Sequence, residues 1–362
     1  MAAPTNEPPP PLVAIACQGG GSHAAFGAGV IHRLLEDYGQ RFRLHALSGT
    51  SGGAVNAVLA WSGLIQGGAR TGVAEAQRRL QGMWEDLGAA SIPDMIRNWW
   101  GQFVLDLPFT WEVSPYVWDL GARDEMISRL RRWVNLEQLP QDRERLNQPF
   151  LFVGATDILN GVSVAIRGDG TVITRTKQKI PVEREPFGYD DVIASLAIPP
   201  LYKDVQRRGT SYWDGLFTIN PPIYALTQIR PCPDEIWVIQ INPQRVRHAP
   251  TQMRDIVDRR NELGGNVSLN KELDMIETIN GLLADGHLQG GGYQHITVRI
   301  VGLEETAGSR DLTYASKFNR DPAFLRELFD RGRDRASEFY DTTWSRRDHV
   351  THRLAALAKP TR

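Results

Sequence analysis

At 362 residues, 41% hydrophobic and 23% charged, the chain has the make-up of a globular protein able to bury one large core. A formal net charge of −1 removes any broad electrostatic case for nucleic-acid binding. The two cysteines, Cys17 and Cys232, form no disulfide framework and fit a reducing compartment.

Residues 1–11 are proline-rich, lack a basic start and precede no long apolar run, so they read as a disordered leader rather than a secretion signal. No stretch reaches the roughly 18 apolar residues of a membrane span, so the expected setting is cytoplasmic, with any lipid contact peripheral. Leu12 to Cys17 is a continuous apolar run, the pattern of a buried parallel strand. It leads into Gly19-Gly20-Gly21 and then a helix from about Ala24 to Tyr38, with Phe26, Val30, Ile31, Leu34 and Leu35 on one face and Gly39 at its end. Three glycines before a helix expose backbone N–H groups that can converge on an anion, either a phosphate or the oxyanion of an acyl-transfer intermediate. The spacing Gly19-x-Gly21-x-x-Ala24 resembles a dinucleotide fingerprint, but no acidic residue closes the next strand.

That strand, ending near His45-Ala46-Leu47, runs into Gly49-Thr50-Ser51-Gly52-Gly53 and a helix over Ala54–Ala60. This is G-x-S-x-G between strand and helix, the nucleophile elbow that exposes a serine Oγ on a sharp turn. A serine N-cap in a glycine-rich loop is the plainer alternative. A helix over 73–87 packs Val73, Leu80, Met83, Trp84 and Leu87. Trp84, Trp99, Trp100, Trp111, Trp118 and Trp133 then mark a tryptophan-rich insertion over about 84–133, broken by Pro93, Pro108 and Pro115. It reads as a helical subdomain core or as a lid or interfacial patch. A helix over 123–134 follows, then strands at 150–156, 162–166 and 171–175, the last two joined by the hairpin signal Gly168-Asp169-Gly170. A short helix over 189–197 has Asp190 or Asp191 at its start. Beyond Tyr212-Trp213-Asp214-Gly215, a strand at 235–241, helices at 251–284 and 322–339, and a strand at 295–301 continue the α/β rhythm.

A serine needs a proton acceptor. Of the eight histidines, none ends a late strand in obvious triad fashion, with His287 and His295 the open alternatives. Tyr212, Trp213, Leu216 and Phe217 flank Asp214, surroundings that suit the desolvation of a carboxylate.

Four blocks in order now resemble the patatin-like phospholipase family: Gly19-Gly20-Gly21, the elbow at 49–53, Ala194-Ser195-Leu196-Ala197-Ile198-Pro199-Pro200, and Asp214-Gly215. The resemblance implies a three-layer α/β/α fold with a mostly parallel central sheet and a Ser–Asp dyad. Ser51 would be the nucleophile, Asp214 the base, and the Gly19, Gly20 and Gly21 amides the oxyanion hole, with no metal or cofactor. Many members carry Arg or Lys and then Gly after the glycines, where this chain has Ser22-His23-Ala24; a histidine variant marks a bacterial branch. His23 then reads as an oxyanion donor, a contact for a lipid head group, or a structural cap, and Ala24 restricts the backbone.

The expected division is a catalytic domain over 12–225 and a C-terminal α/β extension over 226–362 packed on the same sheet. Asn242-Pro243 and the run 254–263 are similar to a C-terminal region of some bacterial patatin-like proteins. The expected function is a phospholipase A-like serine acyl hydrolase acting on a lipid ester. An esterase or acyltransferase on acylglycerol or hydroxyalkanoate esters is the alternative within enzymes. A non-catalytic lipid-binding or regulatory protein on the same fold is the alternative outside them.

Overall fold

A strand buried on both faces needs apolar side chains at every position, and β1 (Leu12–Cys17) supplies them. Val13, Ile15 and Cys17 enter one core, while Ala14 and Ala16 enter the other. The computed structural model describes residues 9–89, 95, 116, 121–140, 148–175, 185–199, 202–246, 248–288, 292–303, 312–313 and 315–344.

Around β1, the strands β2 (Arg43–Thr50), β3 (Phe150–Asp157), β8 (Glu235–Gln240) and β9 (Thr297–Gly302) run parallel in the order β3-β2-β1-β8-β9. Antiparallel strands complete the sheet beyond β3: β4 (Val162–Arg167), β5 (Val172–Thr174), and the hairpin of β6 (Val205–Arg207) with β7 (Thr210–Asp214). One face is covered by α1 (Ala24–Leu34), α2 (Gly52–Leu87), α3 (Ala122–Trp133), α4 (Tyr189–Leu196) and α7 (Pro322–Phe339). The other is covered by α5 (Ile223–Thr227) and α6 (Met253–Ala284), which press Leu226, Leu269, Leu273 and Ile276 on Phe152, Ile236 and Val238. This is a three-layer α/β/α fold whose sheet is parallel through its centre.

The elements match the expected ones with one difference. The helices expected over 54–60 and 73–87 are the two arms of α2, separated by a kink at Gly68, whose φ of 58° departs from the helix. The β6–β7 hairpin had no counterpart in the sequence reading. Its two-residue turn places Arg208 at φ 54° and Gly209 at φ 74°, the left-handed pair a tight hairpin requires. Arginine is an unusual occupant of that region, and its side chain supplies the reason: the guanidinium forms a buried ion pair with Asp191 at the start of α4. Asp191 also accepts from the Gly188 amide at 2.9 Å. The hairpin and α4 are thereby fastened together.

Most of the tryptophan-rich insertion, including Trp99, Trp100, Trp111 and Trp118, lies outside the described residues. Of its flanking residues, Trp84 is buried and donates to Asn56 Oδ1 at 2.8 Å, and Trp133 lies beneath the Arg78 guanidinium. Among the described residues no helix is long and apolar enough to cross a membrane.

Candidate active site

Sheet register brings the two candidate reacting groups together. The last residue of β2, Thr50, pairs with Gly154 of β3. The next residue of β3, Ala155, pairs on the same edge with Asp214, the last residue of β7. Strand β7 therefore takes over from β2 along β3, and Asp214 arrives beside the turn that carries Ser51.

The turn is a true elbow. Ser51 has φ 55° and ψ −129°, a left-handed conformation that costs a non-glycine residue energy and is held only by its surroundings. Its side chain makes no cap hydrogen bond to α2, so it is not acting as an N-cap. The backbone can fold this tightly because Gly53 leaves room for the carbonyls of Cys17 and Gln18, where a Cβ would collide. The Ser51 amide donates to Ser195 Oγ at 2.9 Å, and that hydroxyl donates to the Gly154 carbonyl at 2.6 Å. Ser195, within the third sequence block, thus ties the elbow to the strand that sets the position of Asp214. Sequence reading noted the block and missed this role.

Asp214 is fully buried. Its Oδ1 accepts from the Leu216 amide at 2.8 Å, while Oδ2 is enclosed and holds no full hydrogen bond. Burial lifts its pKa to about 7, against the smaller opposing pull of the Leu216 amide and the nearby Ser51 hydroxyl. A carboxyl in that range can gain and lose a proton near neutrality. The two histidines left open as bases are elsewhere. His287 and His295 are exposed, and His295 precedes β9, whereas Ser51 follows the C-terminal end of the parallel β2. His349 and His352 fall outside the described residues.

The glycine loop abuts the elbow. A Cβ on Gly52 would lie 2.9 Å from the Gly21 carbonyl and 2.7 Å from Ala24 Cβ. The three glycines differ in use. The Gly19 amide is committed to Asn220 Oδ1 at 2.7 Å, whereas those of Gly20 and Gly21 have no hydrogen-bond partner among the described residues. Gly52 opens α2, so its amide is one of the unbonded donors at a helix start, where the dipole favours negative charge. Among the described residues the amides of Gly20, Gly21 and Gly52 are thus uncommitted, and that of Gly19 is not.

His23 is buried, and its Nε2 lies 2.7 Å from Ser316 Oγ. Burial, then Lys317 and Arg331, hold its pKa well below 6.5, so the ring is neutral at physiological pH. The expected imidazolium contact with an oxyanion or anionic head group is therefore not what the structure presents. Ala24 sits at φ −66° and ψ −10°, an ordinary helical conformation, so the alanine imposes no backbone strain. Beside His23 is a cavity of about 20 Å³, lined also by Asn242, Glu262 and Lys317. It holds about one water and is too small for an acyl chain.

A strand–elbow–helix serine, a buried carboxylate in register with it, and a glycine loop define a hydrolase-type site on a three-layer α/β/α fold. The patatin-like phospholipase family model matches residues 15–227, and the chain belongs to that family. No curated protein matches the chain. Among solved structures it is similar to VipD from Legionella pneumophila, at 12% identity and a TM-score of 0.40, covering 92% of this chain and 67% of VipD. It is similar also to the type III effector protein ExoU, at 13% identity and a TM-score of 0.33, covering 92% of this chain and 53% of ExoU.

Proposed function

We propose that the chain is a serine lipid acyl hydrolase, phospholipase A-like, working through a Ser51–Asp214 dyad. The observation that carries this is the pairing of Thr50 and Asp214 with consecutive residues of β3, which sets a strained serine beside a buried carboxylate of pKa about 7. The ionised Asp214 takes the Ser51 proton as Oγ attacks the ester carbonyl. The oxyanion is received by the Gly20 and Gly21 amides, with Gly52 at the helix start. The intermediate collapses by expelling the alcohol, which leaves with the proton from Asp214. Water then attacks the acyl-enzyme, giving one proton to Asp214, and the carboxylic acid departs as Ser51 is re-protonated. The residues named carry every proton and bond change, and no cofactor takes part.

Family membership supports a lipid ester as substrate. So does Phe217, three residues beyond Asp214, which exposes 53% of its surface. Contact with a lipid surface is peripheral on this reading, and the histidine in the glycine loop marks the bacterial branch. The test is hydrolysis of phospholipid and of a soluble ester, with fluorophosphonate labelling, by wild type and Ser51→Ala. Wild type should label once per chain and turn over, and Ser51→Ala should do neither while unfolding at the same midpoint. Hydrolysis by purified Ser51→Ala above a trace would refute the nucleophile.

A further inference from the structure

The family match stops at residue 227, yet the residues that shape the glycine loop come largely from beyond it. Gln18, which precedes the glycines and is buried, uses its whole amide on that later chain. Its Oε1 accepts from the Ile241 and Asn242 amides at 2.8 and 2.9 Å, and its Nε2 donates to Asn266 Oδ1 at 2.9 Å and the Gly265 carbonyl at 3.2 Å. At the other end of the loop, Ser316 Oγ donates to the Thr313 carbonyl at 2.8 Å and accepts from the Thr313 amide at 2.9 Å. The same Oγ lies 2.7 Å from His23 Nε2 and so ties the ring to the Thr313 backbone. Between these ends, Gly21 is left-handed at φ +56° with the Lys317 carbonyl packed where a Cβ would be. Lys317 Nζ in turn donates to Asn242 Oδ1 at 2.7 Å, so the segment pressing on Gly21 is braced against the segment holding Gln18.

We propose that this C-terminal chain is the mould of the oxyanion loop, and that Ser316 and Lys317 are positioning residues for the Gly20 and Gly21 amides. The idea rests on the hydrolase reading above and assigns a task to the region beyond the family match. A backbone donor is useful only if it is already aimed where charge develops, and a glycine run has no side chains of its own to aim it. Fasteners at Gln18, Gly21 and His23 supply what the glycines lack. His23 on this view acts through its neutral ring, held against Ser316, as the loop's latch.

The experiment compares Ser316→Ala, Ser316→Thr and Lys317→Met with wild type on a soluble short-chain ester, with rates expressed per site titrated to completion by fluorophosphonate. Ser316→Ala should lower kcat by about 10- to 100-fold with KM little changed. It should weaken inhibition by an alkyl boronic acid, which mimics the tetrahedral intermediate, in proportion. Ser316→Thr keeps the hydroxyl and should recover most of the loss. Lys317→Met leaves Asn242 Oδ1 without its donor, so the thermal midpoint should fall modestly, and kcat per titrated site should fall several-fold. If Ser316→Ala does not fold, Lys317→Met decides alone. Variants that keep kcat and boronate affinity within twofold of wild type overturn the mould while leaving the dyad standing. An unlabelled, inactive wild type takes both down.

Discussion

Replacing Asp214 by asparagine should remove activity and add stability, and both effects can be sized from the carboxyl's surroundings. In the unfolded chain the group titrates near its ordinary 3.8; in the folded chain burial raises it to about 7. Between those values the folded state keeps a proton that the unfolded state has released, so stability falls as pH rises from about 4 to about 7. About 3 pH units at about 1.4 kcal/mol each set a ceiling of about 4 kcal/mol on that loss. Asparagine is neutral at every pH, keeps Oδ1 for the Leu216 amide, and turns an N–H₂ toward the Ser51 hydroxyl. The variant should come close to wild type in thermal midpoint near pH 4 and exceed it increasingly toward pH 8, by up to roughly 5 °C. Its kcat should fall by about 10² or more, since no proton acceptor remains. Wild-type kcat/KM on a soluble ester should climb with pH through an apparent pKa of about 7 and then level, because the base acts ionised. A flat wild-type profile from about pH 5 to about pH 8.5, or a variant within tenfold of wild type, would refute the reasoning.

Ser195→Ala should leave the buried Ser51 amide without its acceptor, costing about 1–3 kcal/mol and loosening the elbow. Turnover per titrated site should drop at least about tenfold; unchanged turnover would make Ser195 a packing residue only. Arg208→Met should take from the buried Asp191 its nearer counter-charge, leaving Arg207 at 3.8 Å, and lower stability by up to about 3–5 kcal/mol, read by chemical unfolding. Pairing it with Asp191→Asn should restore part of that, and a double variant no better than the single would speak against the ion pair as the cause.

Much of the fold was legible because its signals are local. Apolar runs such as Leu12–Cys17 declare strands buried on both faces, and the glycine loop and elbow are each a few adjacent residues with one conformational purpose. The pair Ser51 and Asp214 could be named from their blocks, although their proximity comes from β3, which no motif records. What sequence reading missed is uniformly long-range. The β6–β7 turn needs an arginine in a left-handed conformation that only a distant aspartate makes tenable. The engagement of the Gly19 amide depends on Asn220, and that of His23 on Ser316, hundreds of residues away. A lone asparagine or serine in a loop carries no pattern announcing such a partner.

The handover from β2 to β7 along β3 makes one peptide unit, Gly154 to Ala155, the ruler of the proposed dyad. The chain that leaves Ser51 and the chain that reaches Asp214 can lengthen or shorten without altering that distance, because neither one measures it. Gaining or losing one residue inside β3 would do what no loop insertion can: slide one partner past the other and turn its side chain to the opposite face of the sheet. Descendants of this sequence are thus free to experiment with everything between its blocks, and least free in the middle of a strand that contributes no reacting group.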